Sequence, residues 1–165
     1  PVNLKTPEKV KRHDVLSADE MKLKVEELIE DCDIFISAAA VSDFKPKEIY
    51  KNKIKKKENE KHLNLKMDKN SDILKVISEK NLNLKTVGFA AETENLLSNA
   101  KKKLSQKKLD LIVANDVSNK DIGFDSDENE VTLITKKEQK KIKKASKKIV
   151  SKKIVEFIAS KVVND

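Results

Sequence analysis

Glycine is almost missing from this chain: Gly88 and Gly123 are the only two in 165 residues. That excludes a glycine-rich phosphate loop, since such loops need several positions without a Cβ for backbone amides to close on phosphate. An α/β chain that binds a nucleotide without one either meets the phosphates with side chains or has lost its first βα unit. Cys32 is the single cysteine, so there is no disulfide framework or cysteine metal site, and a reducing compartment follows. It stands just before an apolar run and is expected to pack as a small hydrophobe. His13 and His62 lie far apart without metal-ligand spacing. Tryptophan is absent and Tyr50 is the only tyrosine, which leaves little to stack nucleobases. No apolar run reaches the length of a bilayer span and no signal peptide heads the chain, so a cytoplasmic protein with no membrane partner is expected.

What abounds is lysine. Lysine and arginine total 36 against 28 acidic residues, a formal charge of +8. Such a balance suits a polyanionic partner, or it coats the solvated faces of a lysine-rich, aromatic-poor chain. The lysines are spread over helix faces and turns, which favours the second account. The ten between Lys136 and Lys153 form a dense run and carry the competing reading, a basic nucleic-acid-binding module. The helix they flank has an apolar face strong enough to dock on a sheet, so they read as its wet side. No nucleic-acid partner is expected.

The length fits one domain with a real core. Pro1 to Pro7 reads as a loop and Lys9 to Val15 as a short strand. Ser17-Ala-Asp-Glu20 is a capping box, opening a helix with Met21, Val25, Leu28 and Ile29 on one face. Ile34, Phe35 and Ile36 are expected as a buried parallel strand, which runs from Asp33 into Ala38, Ala39 and Ala40. Pro46 then forbids a helix. Regular patterning fails between Ser42 and Lys61, after which Leu63, Leu65 and Met67 alternate with polar neighbours as a half-exposed strand. Residues 42–67 thus make a protruding arm. Asn70-Ser-Asp-Ile73 starts a helix, with Asn70 or Ser71 as N-cap and Ile73, Leu74 and Ile77 inward.

Thr86 to Ala91 reads as a buried strand in which Gly88 signals close approach by a ligand or a neighbouring backbone. Thr93 is expected to cap a helix with Leu96, Leu97, Ala100 and Leu104 inward, and Leu109 to Asn115 is the last core strand. Val131–Thr135 and Lys140–Lys144 resemble a β-hairpin. Ser146 to Val163 gives an amphipathic helix with Ile149, Val150, Ile154, Phe157, Ile158 and Val162 inward. The expected architecture is a single α/β domain over 1–165: a mostly parallel sheet, helices on both faces, the 42–67 arm, and a C-terminal hairpin and helix.

Ligands of open α/β sheets settle at the carboxyl ends of the strands. Asp43 lies just beyond one, where a carboxylate serves a ribose hydroxyl or a metal, or closes an Asx-turn. Lys53 and Lys55 alternate with Ile54, share one side of an extended segment, and with Lys56 suit a triphosphate or form a solvated charge run. Lys103 and Lys107, four apart, share a helix face. No Ser-His-Asp set and no carboxylate pair is placed for acid–base work. The residues alone point to an α/β small-ligand domain with cationic loops and leave its chemistry open.

Five segments in order carry a more specific likeness: Ala38-Ala-Ala-Val-Ser-Asp43, Lys53-Ile-Lys-Lys56, Asn70-Ser-Asp-Ile73, Val87-Gly-Phe-Ala-Ala-Glu-Thr93 and Ile112-Val-Ala-Asn-Asp-Val117. From about Pro1 to Val163 the chain resembles the phosphopantothenate–cysteine ligase domain, the C-terminal half of the bacterial bifunctional coenzyme A biosynthesis flavoprotein. The resemblance implies a Rossmann-like fold, a homodimer, and a Mg²⁺- and CTP-dependent ligase joining cysteine to 4′-phosphopantothenate through an acyl-cytidylate. It also implies CTP contacts at Asp43, Lys53, Asn70, Ser71, Asp72, Ile73, Phe89, Lys103 and Lys107. Lys53 is then the catalytic candidate, neutralising the triphosphate as the carboxylate attacks the α-phosphorus. Asp43 would hold ribose or the CTP-bound Mg²⁺, and the segment around Lys53–Lys56 would act as a lid against water.

Two departures from the family pattern stand out. Its first βα unit, with the Gly-rich turn and a Ser-Asn segment, is not in this sequence, and Ser71 stands where the family has proline. An N-terminally truncated domain of weak activity is therefore expected. FMN belongs to the decarboxylase half of the family's bifunctional protein and is not expected here.

Overall fold

The computed structural model describes residues 5–50, 52–55, 62–80, 83–117 and 126–163; Lys56 and Gly123 lie outside them. The chain divides into two compact units, one of Pro1–Glu27 with Ala40–Asp72, the other of Leu28–Ala39 with Ile73–Asp165.

The second unit holds a five-stranded sheet in the order β1-β4-β5-β6-β7. These strands are β1 (Ile34–Ser37), β4 (Lys85–Glu92), β5 (Leu111–Asp116), β6 (Glu128–Ile134) and β7 (Gln139–Ser146). β1 and β5 flank β4 in parallel register, Ile36 opposite Val87 and Phe89 opposite Val113. β6 and β7 add antiparallel, closing the expected hairpin. The sheet is therefore mixed, with its parallel strands at the β1 side. In β5, Leu111, Ile112, Val113 and Ala114 are all buried, as a strand covered on both faces requires.

The two faces carry separate cores. On one, Val87, Leu111, Val113 and Leu133 pack with Val150, Ile154 and Phe157 of α4 (Lys147–Phe157) and with Ile158 and Val162 of the π-helical turn that follows it. On the other, Ala90, Ile112 and Ile134 meet Leu74 of α2 (Ile73–Glu79) and Ala100 and Leu104 of α3 (Leu96–Gln106). Helices thus cover both faces. Ile149, expected inward, is exposed. β1 is an edge strand rather than a buried one, because among the described residues nothing pairs beyond it; Ile36 is 44% exposed.

Local chemistry explains the joints. Ser146 caps α4, its Oγ accepting from the Ile149 amide at 3.4 Å. α3 begins after Asn95, in the left-handed region at φ 51°, and not on Thr93. It ends in a Schellman motif: the Leu109 amide donates to the Leu104 carbonyl at 2.9 Å and the Lys108 amide to that of Ser105 at 3.2 Å. Lys108 takes φ 51° at the position that favours glycine. Asp110 then pins β5 to β4, its Oδ2 accepting from the Thr86 amide at 2.7 Å and the Thr86 hydroxyl at 3.1 Å. Cys32 is exposed, its thiol donating to the Leu28 carbonyl at 3.2 Å, so it does not pack as a core hydrophobe.

In the first unit, α1 (Ala18–Leu28) starts at the capping box: the Glu20 amide donates to Ser17 Oγ at 3.2 Å, and Glu20 reaches back to the Leu16 amide at 2.9 Å, one residue earlier than the usual partner. None of its residues is buried; Ile29, in the turn that follows, is. Lys9 to Val15 forms no strand. The two ends of the arm pair with each other: β2 (Phe44–Pro46) runs antiparallel to β3 (Met67–Lys69), and the Lys47 amide donates to the Lys66 carbonyl at 2.9 Å. The strand expected around 63–67 therefore begins at Met67, where a partner exists. Among the described residues, no helix is long and apolar enough to cross a membrane.

Candidate functional site

The parallel strands β4 and β5 end together at Glu92 and Asp116, four residues beyond the level at which β1 stops, Ser37 opposite Gly88; this is the end of an α/β sheet where ligands settle. There Glu92, the last residue of β4, holds the side chain of Lys103: Oε1 lies 2.5 Å from Nζ. Its Oε2 accepts from Asn99 Nδ2 at 3.1 Å. Asn99, Lys103 and Lys107 are spaced four apart and share one face of the helix and its cap. The Glu92 side chain is 13% exposed and that of Lys103 43%, so the carboxylate is the inner member and the ammonium the outer. Burial alone would raise the Glu92 pKa, but the hydrogen bonds from Lys103 and Asn99 and the Lys103 charge outweigh it and hold the carboxyl below its ordinary value. Neither Glu92 nor Asn99 stood out in the sequence; the signal was an acid at a strand end followed by Asn99 and Lys103 at helical spacing.

Phe89 shares a side of β4 with Val87 and so lies on the α4 face, and the residue is 38% exposed. Ile36 of the neighbouring strand is open on the same face. Ile73 is buried in α2, so any ligand contact it makes runs through its backbone.

Asp43, Lys53, Asn70, Ser71 and Asp72 belong to the first unit. Two are brought together: the Asn70 amide donates to the Asp43 carbonyl at 2.8 Å, and Asn70 Nδ2 to the Ser42 carbonyl at 2.8 Å. Asn70 is buried and thus ties the loop to β2 instead of capping α2, leaving its Oδ1 without a hydrogen-bond partner. Asp43 and Lys53 are exposed. Among the described residues no three acidic, histidine or cysteine side chains gather as a metal site. Asp43 is a single exposed carboxylate, the kind of group that would share a Mg²⁺ with phosphate oxygens.

The basic stretch at 136–153 is threaded with partners. Lys141 meets Glu130 at 2.6 Å, Lys144 meets Glu128 at 3.3 Å, and Lys140 stands over the Phe157 ring at 5.9 Å. The Lys141 hydrogen bond and charge hold the Glu130 carboxyl below its ordinary value. These lysines line acidic neighbours and an aromatic face, as a solvated helix–hairpin surface does.

The chain matches the family model of the DNA/pantothenate metabolism flavoprotein C-terminal domain over residues 1–162. It belongs to that family. Among curated relatives, the coenzyme A biosynthesis bifunctional protein CoaBC of Vibrio vulnificus is 43% identical over 159 residues, covering 96% of this chain and 40% of that protein. The proteins of the same name from Escherichia coli K12 and Bacillus subtilis are 39% and 41% identical, covering 98% and 97% of this chain. The chain spans about two-fifths of the length of these relatives. Among solved structures, the C-terminal domain of a CoaBC protein superposes with a TM-score of 0.80 at 30% identity, covering all of this chain and 72% of that one. A Cab2 mutant in complex with phosphopantothenate-cysteine superposes at 0.61 with 19% identity over 84% of this chain and 50% of that one, a likeness of fold alone. Membership in this family accounts for the Rossmann-like α/β fold of the chain.

Proposed function

We propose that this chain carries the CTP-dependent ligation of cysteine to 4′-phosphopantothenate, a step of coenzyme A biosynthesis in the cytoplasm. The observation that carries the reading is the family match over 1–162. In the proposed reaction the carboxylate of 4′-phosphopantothenate attacks the α-phosphorus of CTP and expels pyrophosphate. The amine of cysteine then attacks the acyl carbon of the resulting acyl-cytidylate and CMP leaves.

The chain's residues divide that work by charge. Lys53, Lys103 and Lys107 supply ammonium groups for the phosphates, which lowers the barrier as negative charge shifts toward the leaving pyrophosphate. Asp43 takes a ribose hydroxyl or the Mg²⁺ that CTP brings, and bound Mg²⁺ would add further neutralisation of the phosphate oxygens. Phe89 and the turn at 70–73 contact the rest of the nucleotide. Shielding the acyl-cytidylate from water is the role proposed for the segment that begins at Lys53. The arm at 42–67 is the proposed homodimer contact, since Phe44, Ile49, Tyr50, Leu63, Leu65 and Met67 are all exposed.

Calorimetric titration with CTP, ATP and GTP tests the reading. CTP is expected to bind in preference to the other two, and Lys53→Gln to weaken CTP uptake. No uptake of CTP, or a steep salt-dependent binding of oligonucleotides in its place, would reject it.

A further inference from the structure

Lys103 does not stand free at the end of the sheet. Its Nζ is 2.5 Å from Glu92 Oε1, and that carboxylate is in turn fixed by Asn99 Nδ2 on its other oxygen at 3.1 Å. Asn99 Nδ2 is also bonded to the Glu94 carbonyl at 3.1 Å, so the donor that clamps Glu92 is clamped itself. The Glu92 main chain is fixed as well, its carbonyl accepting from the Val117 amide at 3.0 Å. A lysine side chain has four freely turning bonds and no preferred direction for its charge. Here the terminal ammonium is pinned to the inner carboxylate by one of its three N–H groups, while the side chain remains 43% exposed.

We propose that Glu92 is a positioning residue that aims the Lys103 ammonium at the phosphate chain of a nucleoside triphosphate. This rests on the CTP-ligase reading above and adds to it a residue that touches no substrate. Glu92 acts through Lys103 by fixing where its remaining N–H donors point, so the ordering cost of that side chain is met before the ligand arrives. The carboxylate also offsets the ammonium's charge when no nucleotide is present. Asn99 serves as the brace that keeps the carboxylate from turning away.

The test is a calorimetric comparison of Mg²⁺-CTP with CMP, which shares the base and ribose but lacks the outer phosphates. In the unmodified chain CTP is expected to bind more tightly than CMP. Glu92→Gln is expected to shrink that preference by about tenfold, the size of one charge-assisted hydrogen bond, with CMP affinity unchanged. In a Lys103→Gln background the same substitution is expected to change nothing further, which a merely structural role for Glu92 would not produce. If Glu92→Gln does not fold, the Lys103 ammonium signal in ¹⁵N–¹H spectra of the unmodified chain decides, shifting with CTP and not with CMP. Equal loss of CTP and CMP binding, additive effects of the two substitutions, or an ammonium signal indifferent to CTP overturns the proposal. A chain that binds CTP well while Glu92→Gln behaves like the parent overturns the role of Glu92 alone. A chain that takes up no CTP overturns the ligase reading and this proposal with it.

Discussion

A Cβ added at Gly88 would lie 2.7 Å from Leu74 Cδ2 and 2.9 Å from Leu109 Cδ1. The close approach that glycine signals in β4 is therefore the packing of two leucines from the α2–α3 core, not a ligand or a neighbouring backbone. Both leucines are buried and have little room to turn. Gly88→Ala is expected to lower stability by about 1–3 kcal/mol through overpacking, read as a shift in the urea midpoint. Pairing it with Leu74→Ala should recover part of the loss, because the two changes share one space.

Lys108 points the other way. It occupies the left-handed position of the Schellman motif with a Cβ that crowds the backbone. Lys108→Gly is expected to raise stability by roughly 0.5–1 kcal/mol, the relief of strain less the greater freedom glycine has when unfolded. Lys108→Val, β-branched at the same φ, should lower it. Thermal unfolding of the two variants against the parent measures both.

Asn70 sits buried with one amide group used and one oxygen unpartnered. Asn70→Ala removes the bond to the Ser42 carbonyl and should cost about 1 kcal/mol. Asn70→Asp should cost more at neutral pH, since it removes the donor and buries a charge in its place. That gap should narrow when unfolding is followed at lower pH, as the new carboxyl takes up a proton.

Glu92 has its carboxyl held below the usual 4.5. Between the folded and unfolded values the unfolded chain binds more protons, so stability rises with pH in that interval. The contribution is complete above about pH 4.5 and is lost as pH falls through the folded value. Glu92→Gln is expected to flatten this part of the acid limb, seen as a smaller fall in unfolding free energy between pH 5 and pH 3 (roughly the carboxylate range) than in the parent.

Much of this chain is determined locally and was readable without coordinates. The Ser17–Glu20 box, the hairpin of β6 and β7, and the apolar stripe of α4 depend on neighbours a few residues away, so periodicity and capping chemistry suffice to specify them. The residues at 43, 53, 70–73, 89, 103 and 107 are proposed as nucleotide contacts from ordered motifs alone, since a family likeness needs no geometry.

What tertiary structure decided is who stands next to whom. Ile34-Phe-Ile36 reads as a buried strand, yet a strand is buried only if something pairs on each side, and β1 lies at the edge. Lys9 to Val15 has strand-like residues and no pairing strand among the described residues, whereas Phe44 to Pro46, in a charge-rich loop, becomes a strand because Met67 to Lys69 pairs with it. The Glu92 clamp on Lys103 joins a strand and a helix: helical spacing puts Asn99 and Lys103 on one face, but it does not say which strand-end acid they meet. Hydrogen bonds between strands and ion pairs across a turn are non-local, and their partners are chosen only when the sheet assembles.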